Sequence, residues 1–516
     1  MHDSLKRIVI IGGGSAGWIT AGVIAAQHKT NGADGINITL IESATIAPIG
    51  VGEGTWPSMR ATLQRIGISE TEFMLSCDAS FKQGSQFHGW RNGRDSYCHP
   101  FTLPTGMQQI NLAGHWQPYR KKVSFADAVS PQGRVAQLGA APKLITTKEY
   151  DYLLNYGYHL DAGKFSQFLS QHCTEKLGVK QIIDDVTQLN SHHNGDIKSV
   201  TTQTHGDIEG DLFIDCSGLN ALLIGKHYQI PFIEQKQVLF NDSALAVQVP
   251  YAEDDAAIAS FTHSTAQGAG WIWDIGLPSR RGIGYTYSSS HTSNDEAERV
   301  LRAYIAPAIG TAKAEQASLR KLSIRPGYRE KFWHRNCVAI GMAAGFIEPL
   351  EASALAMVEL SAKMISEQLP ANRRVMDITA KRFNQRFNHR WQRIIDFLKL
   401  HYILTERSDS DYWIDNCERN TIPESLQELM TLWQHQLPDN YDCLHTEALF
   451  PAASFQYILY GMDFNTQVPN WHRQSQTRLA EQFFNQNATK TKQLISLLPS
   501  NRNLLSKMAE YGLSKI

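Results

Sequence analysis

One stretch near the start of the chain limits its fold more than any other: RIVIIGGGSAGWITAGVIAAQ, Arg7 to Gln27. Arg7 to Ile11 is an apolar run with the length and branching of a buried strand. Gly12, Gly14 and Gly17 then complete GxGxxG, and Ser15 to Gln27 carries Ala, Ile and Val at helical spacing. Each glycine has its own task. Gly12 permits the tight turn, Gly14 lets the backbone approach a pyrophosphate, and Gly17 lets helix pack on strand. The helix start at Ser15 and Ala16 supplies free N–H groups and partial positive charge for phosphates. A second strand, INITLIES, ends in Glu42, an acceptor for ribose hydroxyls. The distance to Glu42 exceeds the usual ~20 residues, and the insert HKTNGADG accounts for the excess. GxGxxG alone is weak. Set in strand, loop, helix, strand and acid, it reads as a dinucleotide site on a parallel α/β sheet.

Two later segments return to the same cofactor. DLFIDCSGLNALLIG (Asp211 to Gly225) is an apolar strand ending in Asp215 and a Ser-Gly turn. NCVAIGMAAGFIEPLEASALAMVEL (Asn336 to Leu360) is a strand, a small-residue loop and a helix. Such returns suit a flavin that spans a domain, and no second GxGxxG exists for NAD(P)H. The glycine-rich loop PIGVGEGTWPSM (Pro48 to Met59) permits close approach to a ligand, although a plain surface loop reads the same way. The expectation is FAD, in a Rossmann-like fold of the glutathione-reductase type used by flavin monooxygenases. The expected cofactor-binding positions are Gly12, Gly14, Ser15, Ala16, Gly17, Glu42, Gly52, Glu53, Val186, Asp215, Gly341, Gly345 and Leu355. No module for reducing the flavin is recognisable.

The chain has 516 residues, enough for two or three packed modules. With 49 basic and 50 acidic residues, it carries no electrostatic footprint for nucleic acid or an anionic membrane. No apolar run reaches the ~18 residues of a membrane span. The first strand begins too early for a signal peptide, so a cytoplasmic protein is expected. The seven cysteines are scattered without a CxxC pair, which fits a reducing compartment and neither zinc nor disulfides. The His192–His193 pair precedes Asn194 and Gly195 and reads as a turn, so no metal site is expected.

Three stretches carry candidate chemistry. In ASFKQGSQFHGW (Ala79 to Trp90), Phe81, Gln83, Ser85 and Phe87 alternate around Lys82. A strand lysine is usually solvated; one among aromatics on a cofactor-facing strand is a desolvated amine, nucleophile or hydrogen-bond donor. GWIWDIG (Gly270 to Gly276) sets Trp271 and Trp273 on one strand face, either as plain core or as an indole wall. In FIEPLEASAL, Glu351 precedes a helix whose first amides, at Ser353 and Ala354, make a natural anion site. Glu351 is then either a dipole-stabilised carboxylate or a general base.

In this order, GGGSAGW, GVGEGTWPSM, FKQGSQFHGW, GWIWDIG and GFIEPLEASAL resemble the flavin-dependent halogenases of the tryptophan halogenase family, as does DFLKLHYILTERSDSDYW (Asp396 to Trp413). The resemblance runs from about residue 5 to about residue 460. It implies reduced FAD delivered by a separate NAD(P)H-dependent flavin reductase. It also implies oxygen and a halide, chloride or bromide, as co-substrates yielding hypohalous acid. By position in the FK motif, Lys82 is the lysine that activates this oxidant, by hydrogen bonding or as a haloamine. By position in PLE, Glu351 is the glutamate that polarises the electrophile or removes the ring proton, and the Ser353 and Ala354 backbone is the halide site. Trp271 and Trp273 then partition the organic substrate from the flavin. Two departures stand out. Gly276 replaces the proline that ends the family's WxWxIP, and Ala354 stands where Gly or Ser is common.

The expected organisation is an FAD-binding and catalytic α/β module over 1–360 and a mainly helical module over 361–516 covering the substrate cavity. ALFPAASFQYILYGM (Ala448 to Met462) falls where substrate contacts are expected, with tryptophan, indole or a larger aromatic as substrate. Two other readings compete. A flavin aromatic hydroxylase usually has an acid after the glycine of GDxxG, where Met342 stands here. A non-catalytic flavin-binding protein would make Lys82 and Glu351 incidental. A homodimer is the default expectation.

Overall fold

The computed structural model describes residues 4–28, 30, 35–45, 52–442, 449–469 and 476–515. The chain weaves into two compact units, each built from three separate segments. The first comprises Met1–Asp78, Leu160–Gln235 and Arg325–Trp391; the second comprises Ala79–His159, Lys236–Ile324 and Gln392–Ile516.

The first unit is built on a six-stranded sheet in the order Trp333–His334, Cys337–Ala339, Leu212–Asp215, Arg7–Ile11, Asn37–Glu42 and Lys180–Ile183. Arg7–Ile11 pairs parallel with both Leu212–Asp215 and Asn37–Glu42, so the glycine loop leaves the middle of the sheet. The other internal pairs are also parallel, and the short edge strand Trp333–His334 is antiparallel. Central parallel strands lie buried on both faces, which explains the unbroken apolar run at Ile8 to Ile11. The helix Ser15–His28 is likewise buried nearly all round, from Gly17 to Ala25. It packs between the helices Ser353–Glu367 and Ala162–Glu175. The His192–Gly195 segment is the turn joining Val186–Ser191 to Ile197–Thr202, as its sequence indicates.

The second unit has a seven-stranded sheet in the order Arg320–Ser323, Ser243–Pro250, Arg280–Tyr287, Gly270–Gly276, Thr262–Gln267, Gly84–His88 and Ser96–Pro100. Ile272, Ile283, Tyr285 and Tyr287 pack with Ala297, Leu301 and Ile305 of the helix Asn294–Ile309. Among the described residues, 361–516 contains helices and turns and no strand. The stretch around Lys82 departs from one continuous strand. Ser80–Lys82 pairs with Gly157–Leu160, whereas Gly84–His88 joins the seven-stranded sheet. Gly84 makes the joint: its φ is +141°, and a Cβ there would lie 2.2 Å from the His99 carbonyl oxygen. No helix among the described residues is long and apolar enough to cross a membrane. The six described cysteines are free thiols, and Cys443 lies outside the described residues.

Candidate active site

The three glycines of the first loop answer to three different neighbours. Gly12 has φ +114°, and a Cβ there would sit 2.2 Å from the Cys216 carbonyl oxygen. A Cβ on Gly17 would meet the Gly12 carbonyl oxygen at 1.9 Å, so helix and loop touch through glycine alone. A Cβ on Gly14 would meet no atom of the described residues within 4 Å. Among the described residues Gly14 therefore has no neighbour that requires glycine, and the space beside a helix N-terminus fits a pyrophosphate. Ser15 begins the helix, its hydroxyl 3.2 Å from that of Ser166. The Ala16 carbonyl takes the Thr20 hydroxyl, and Ala16 also lies against Gly341, whose φ of +67° brings the chain close.

Glu42 folds its carboxylate over Gly13, where a Cβ would collide with it, and accepts a hydrogen bond from the Gln181 amide. Neither Gly13 nor Gln181 is singled out by GxGxxG, because only the folded chain brings them to Glu42. Asp215 is committed within the protein. It accepts from the Ser217 amide and hydroxyl, and from the Leu223 and Ile224 amides at 2.8 and 2.9 Å. Its carboxylate thus shapes the loop after its strand. Gly345 fits against the Gly327 carbonyl, Val186 opens a strand half-buried, and Leu355 is buried in the first turns of Ser353–Glu367. Gly52 and Glu53 are half-buried, and burial pushes the Glu53 carboxyl up to about 7. Pro48 to Val51 of the glycine-rich loop lie outside the described residues.

Glu351 lies in the first unit, in the tight turn Leu350–Ala352 ahead of the helix Ser353–Glu367. It is buried, and both Glu351 (φ +60°) and Ala352 (φ +54°) are left-handed. Two consecutive left-handed residues bearing a Cβ are an uncommon and costly arrangement. They turn the extended chain sharply into the helix. Ser353 is buried and Ala354 exposed at the helix start, which no side chain caps.

Lys82 lies in the second unit and is only 1% exposed, so it is no solvated strand residue. Its Nζ sits 5.5 Å from the Phe101 ring centroid. The register places His159 opposite Ser80, hence on the face that Lys82 shares. His159 Nε2 is 2.8 Å from the Thr262 hydroxyl, while its Nδ1 has no hydrogen-bond partner among the described residues. Burial, then the positive charge of Lys82, holds this imidazole well below its usual pKa, so it stands neutral beside the lysine. His159 sits in GYHLD, and a histidine within an apolar strand is the one local signal that marks it.

Trp271 and Trp273 share a face of Gly270–Gly276, with ring centroids 6.4 Å apart. Small residues flank them: Ala266 and Thr286 beside Trp271, Ser264 and Gly284 beside Trp273. A Cβ on Gly284 would lie 2.1 Å from the Trp273 ring. Trp90 extends the wall, 6.1 Å from Trp271, and itself meets Tyr402 and Trp413 from the helical region. Gly276 ends the strand with its carbonyl accepting the Ser80 hydroxyl at 2.5 Å. Tyr251, Ile258 and Ala259 approach to about 3 Å of where a Cβ would be, which accounts for glycine at this position. Leu277 N–H then closes a turn onto the Arg280 carbonyl.

The central glycine turn and its parallel sheet define a dinucleotide-binding α/β enzyme. Comparison with known proteins narrows the class. The family of tryptophan halogenases matches residues 7–478, and the chain belongs to that family: it is a flavin-dependent halogenase. Among its relatives, the tryptophan 6-halogenase of Streptomyces toxytricini is 31% identical, over 88% of this chain and 89% of that protein. The 7-chloro-L-tryptophan 6-halogenase of a Kutzneria species is 33% identical over 88% and 90%. The crystal structure of a tryptophan halogenase from Shewanella frigidimarina superposes with a TM-score of 0.97 at 54% identity, covering 100% of this chain and 99% of that one.

Proposed function

We propose that this enzyme halogenates the indole ring of tryptophan or a related small aromatic, using reduced FAD, oxygen and chloride or bromide. Bound FAD would supply the activation of oxygen that converts halide to hypohalous acid. Gly12, Gly14, Ser15, Ala16 and Gly17 would hold its pyrophosphate, and Glu42 its ribose. Glu53, Gly52, Val186, Gly341, Gly345 and Leu355 would line the remainder, with Asp215 acting through the loop it organises. A separate NAD(P)H-dependent reductase supplies the reduced flavin, in a cytoplasmic setting and with a homodimer as the default assembly. Residues 1–360 carry the flavin and catalytic positions, and 361–516 supply helices that cover the substrate.

Halide binds at the Ser353 and Ala354 backbone. Lys82 receives the oxidant and presents halogen to the ring, and Glu351 takes the ring proton. Trp271 and Trp273 form the apolar wall that keeps the aromatic substrate from direct oxygenation. The observation that carries this reading is the buried Lys82, set against Phe101 and a neutral His159. A buried ammonium beside an uncharged imidazole can donate a hydrogen bond to the oxidant, and reacts with it as an amine once it gives up a proton. The test supplies a flavin reductase, NADH, FAD, oxygen, chloride or bromide, and a panel of indoles. Mass spectrometry should show the isotope doublet of a halogenated product, lost in Lys82→Ala while FAD binding persists. A hydroxylated product, or full activity in Lys82→Ala, overturns the reading.

A further inference from the structure

The left-handed pair Glu351–Ala352 needs an external hold, because each such residue costs about 1 kcal/mol or more against a right-handed alternative. The peptide unit joining them is gripped at both ends. Ala352 N–H donates to the Pro349 carbonyl at 3.0 Å, and the Glu351 carbonyl accepts the indole N–H of Trp56 at 2.6 Å. A donor positions its acceptor only if it is itself fixed. Trp56 is followed at once by the helix Ser58–Ile66, whose Ser58 and Thr62 hydroxyls donate to Glu359 at 3.1 and 2.5 Å. Glu359 is buried on Ser353–Glu367 itself, about 9 Å along the axis from Ser353 by helical rise. The turn, the indole and the two helices thus close a loop of contacts, and that loop fixes the Glu351–Ala352 peptide plane.

We infer that Trp56 is a positioning residue whose indole N–H sets the direction of the Glu351 side chain and of the Ser353 and Ala354 amides, and through them the affinity for halide. This rests on the assignment of Glu351, Ser353 and Ala354 proposed above. Releasing the Glu351 carbonyl lets the peptide rotate toward relaxed φ and ψ values. The same rotation swings the Glu351 Cα–Cβ bond and re-aims the helix start.

Trp56→Phe keeps an aromatic ring and removes the N–H donor, along with one ring of the indole. In the flavin-loaded enzyme with its reductase, it should raise KM for chloride and bromide about three- to tenfold, the range for one lost hydrogen bond. The rise in apparent Tm that bromide produces should need correspondingly more bromide. FAD affinity and KM for the indole should not move, whereas a general folding defect would move them. Glu359→Leu, which cuts the other tie, should raise halide KM likewise and carries the test if Trp56→Phe does not fold. Unchanged halide KM and bromide stabilisation in a folded Trp56→Phe enzyme overturn the inference. Glu351→Gln is the control: full turnover there sinks the underlying assignment, while its loss beside an unaffected Trp56→Phe sinks the inference alone.

Discussion

Replacing Gly12 and Gly14 separately by alanine should divide a folding role from a ligand role within one motif. At Gly12 the backbone angle is +114°, which disfavours any residue with a Cβ by about 1–2 kcal/mol. The new methyl would also press on backbone, 2.2 Å from the Cys216 oxygen and 2.6 Å from its carbonyl carbon. Neither atom has a rotamer to yield, so the two chain segments must part by about 1 Å to reach ordinary contact. Strain and overpacking together come to about 3 kcal/mol or more, which should lower the apparent Tm of flavin-free protein by roughly 5 °C or more. At Gly14 the methyl meets no atom of the described residues within 4 Å and the angle is not left-handed. The folded chain then pays nothing, and the unfolded chain loses freedom worth about 0.4–1 kcal/mol. Flavin-free Gly14→Ala should melt at or slightly above the parent temperature, yet bind FAD at least tenfold more weakly, about 1.4 kcal/mol. Tryptophan fluorescence melts of stripped protein and fluorescence titration with FAD measure the two quantities. If Gly14→Ala destabilises the flavin-free protein as Gly12→Ala does, or binds FAD undiminished, the assignment of Gly14 to the cofactor is wrong.

Three further outcomes rest on burial and hydrogen bonding elsewhere in the fold. Burial raises Glu359 to about 8 despite its two hydroxyl partners, so the folded protein holds this proton where the unfolded chain has released it. Its stabilising share is complete below about 4.5 and is lost as pH rises toward 8; Glu359→Gln should gain Tm relative to the parent at pH 8 compared with pH 5, and a constant difference would refute the assignment. Trp273→Ala should cost about 3–5 kcal/mol and raise the ratio of hydroxylated to halogenated indole by mass spectrometry; an unchanged ratio in folded enzyme removes the partition role. Ser80→Ala, which deletes the bond to the Gly276 carbonyl, should cost about 1 kcal/mol in denaturant melts, and no measurable loss would show that this strand end holds without it.

The nucleotide end was legible because its signals are local. Strand, glycine turn and helix follow one another within Arg7 to His28, and Gly17 answers to the nearby Gly12 carbonyl, although the neighbour of Gly12 itself, Cys216, is remote in sequence. The stretch around Lys82 was legible only in part. Alternation of Phe81, Gln83, Ser85 and Phe87 reads as one strand, but pairing partners far along the chain divide it at Gly84. The roles of His159, Gln181 and Trp56 are not legible in the sequence, because each acts on a residue remote along the chain. Trp56 and Glu351 stand 295 positions apart.

By itself, then, the sequence determined the dinucleotide turn, the helical character of the last third, and the residue types offered for chemistry at Lys82, Glu351, Trp271 and Trp273. These follow from short-range sterics and from periodicity, which a linear string preserves. Tertiary structure alone decided that Lys82 is buried beside a neutral imidazole, that Asp215 is spent on its own loop, and that three segments weave into each unit. It also decided that an indole N–H holds the left-handed turn before Ser353. Burial, charge state and backbone strain are set by which distant groups exclude water or supply a partner, and that is a property of packing.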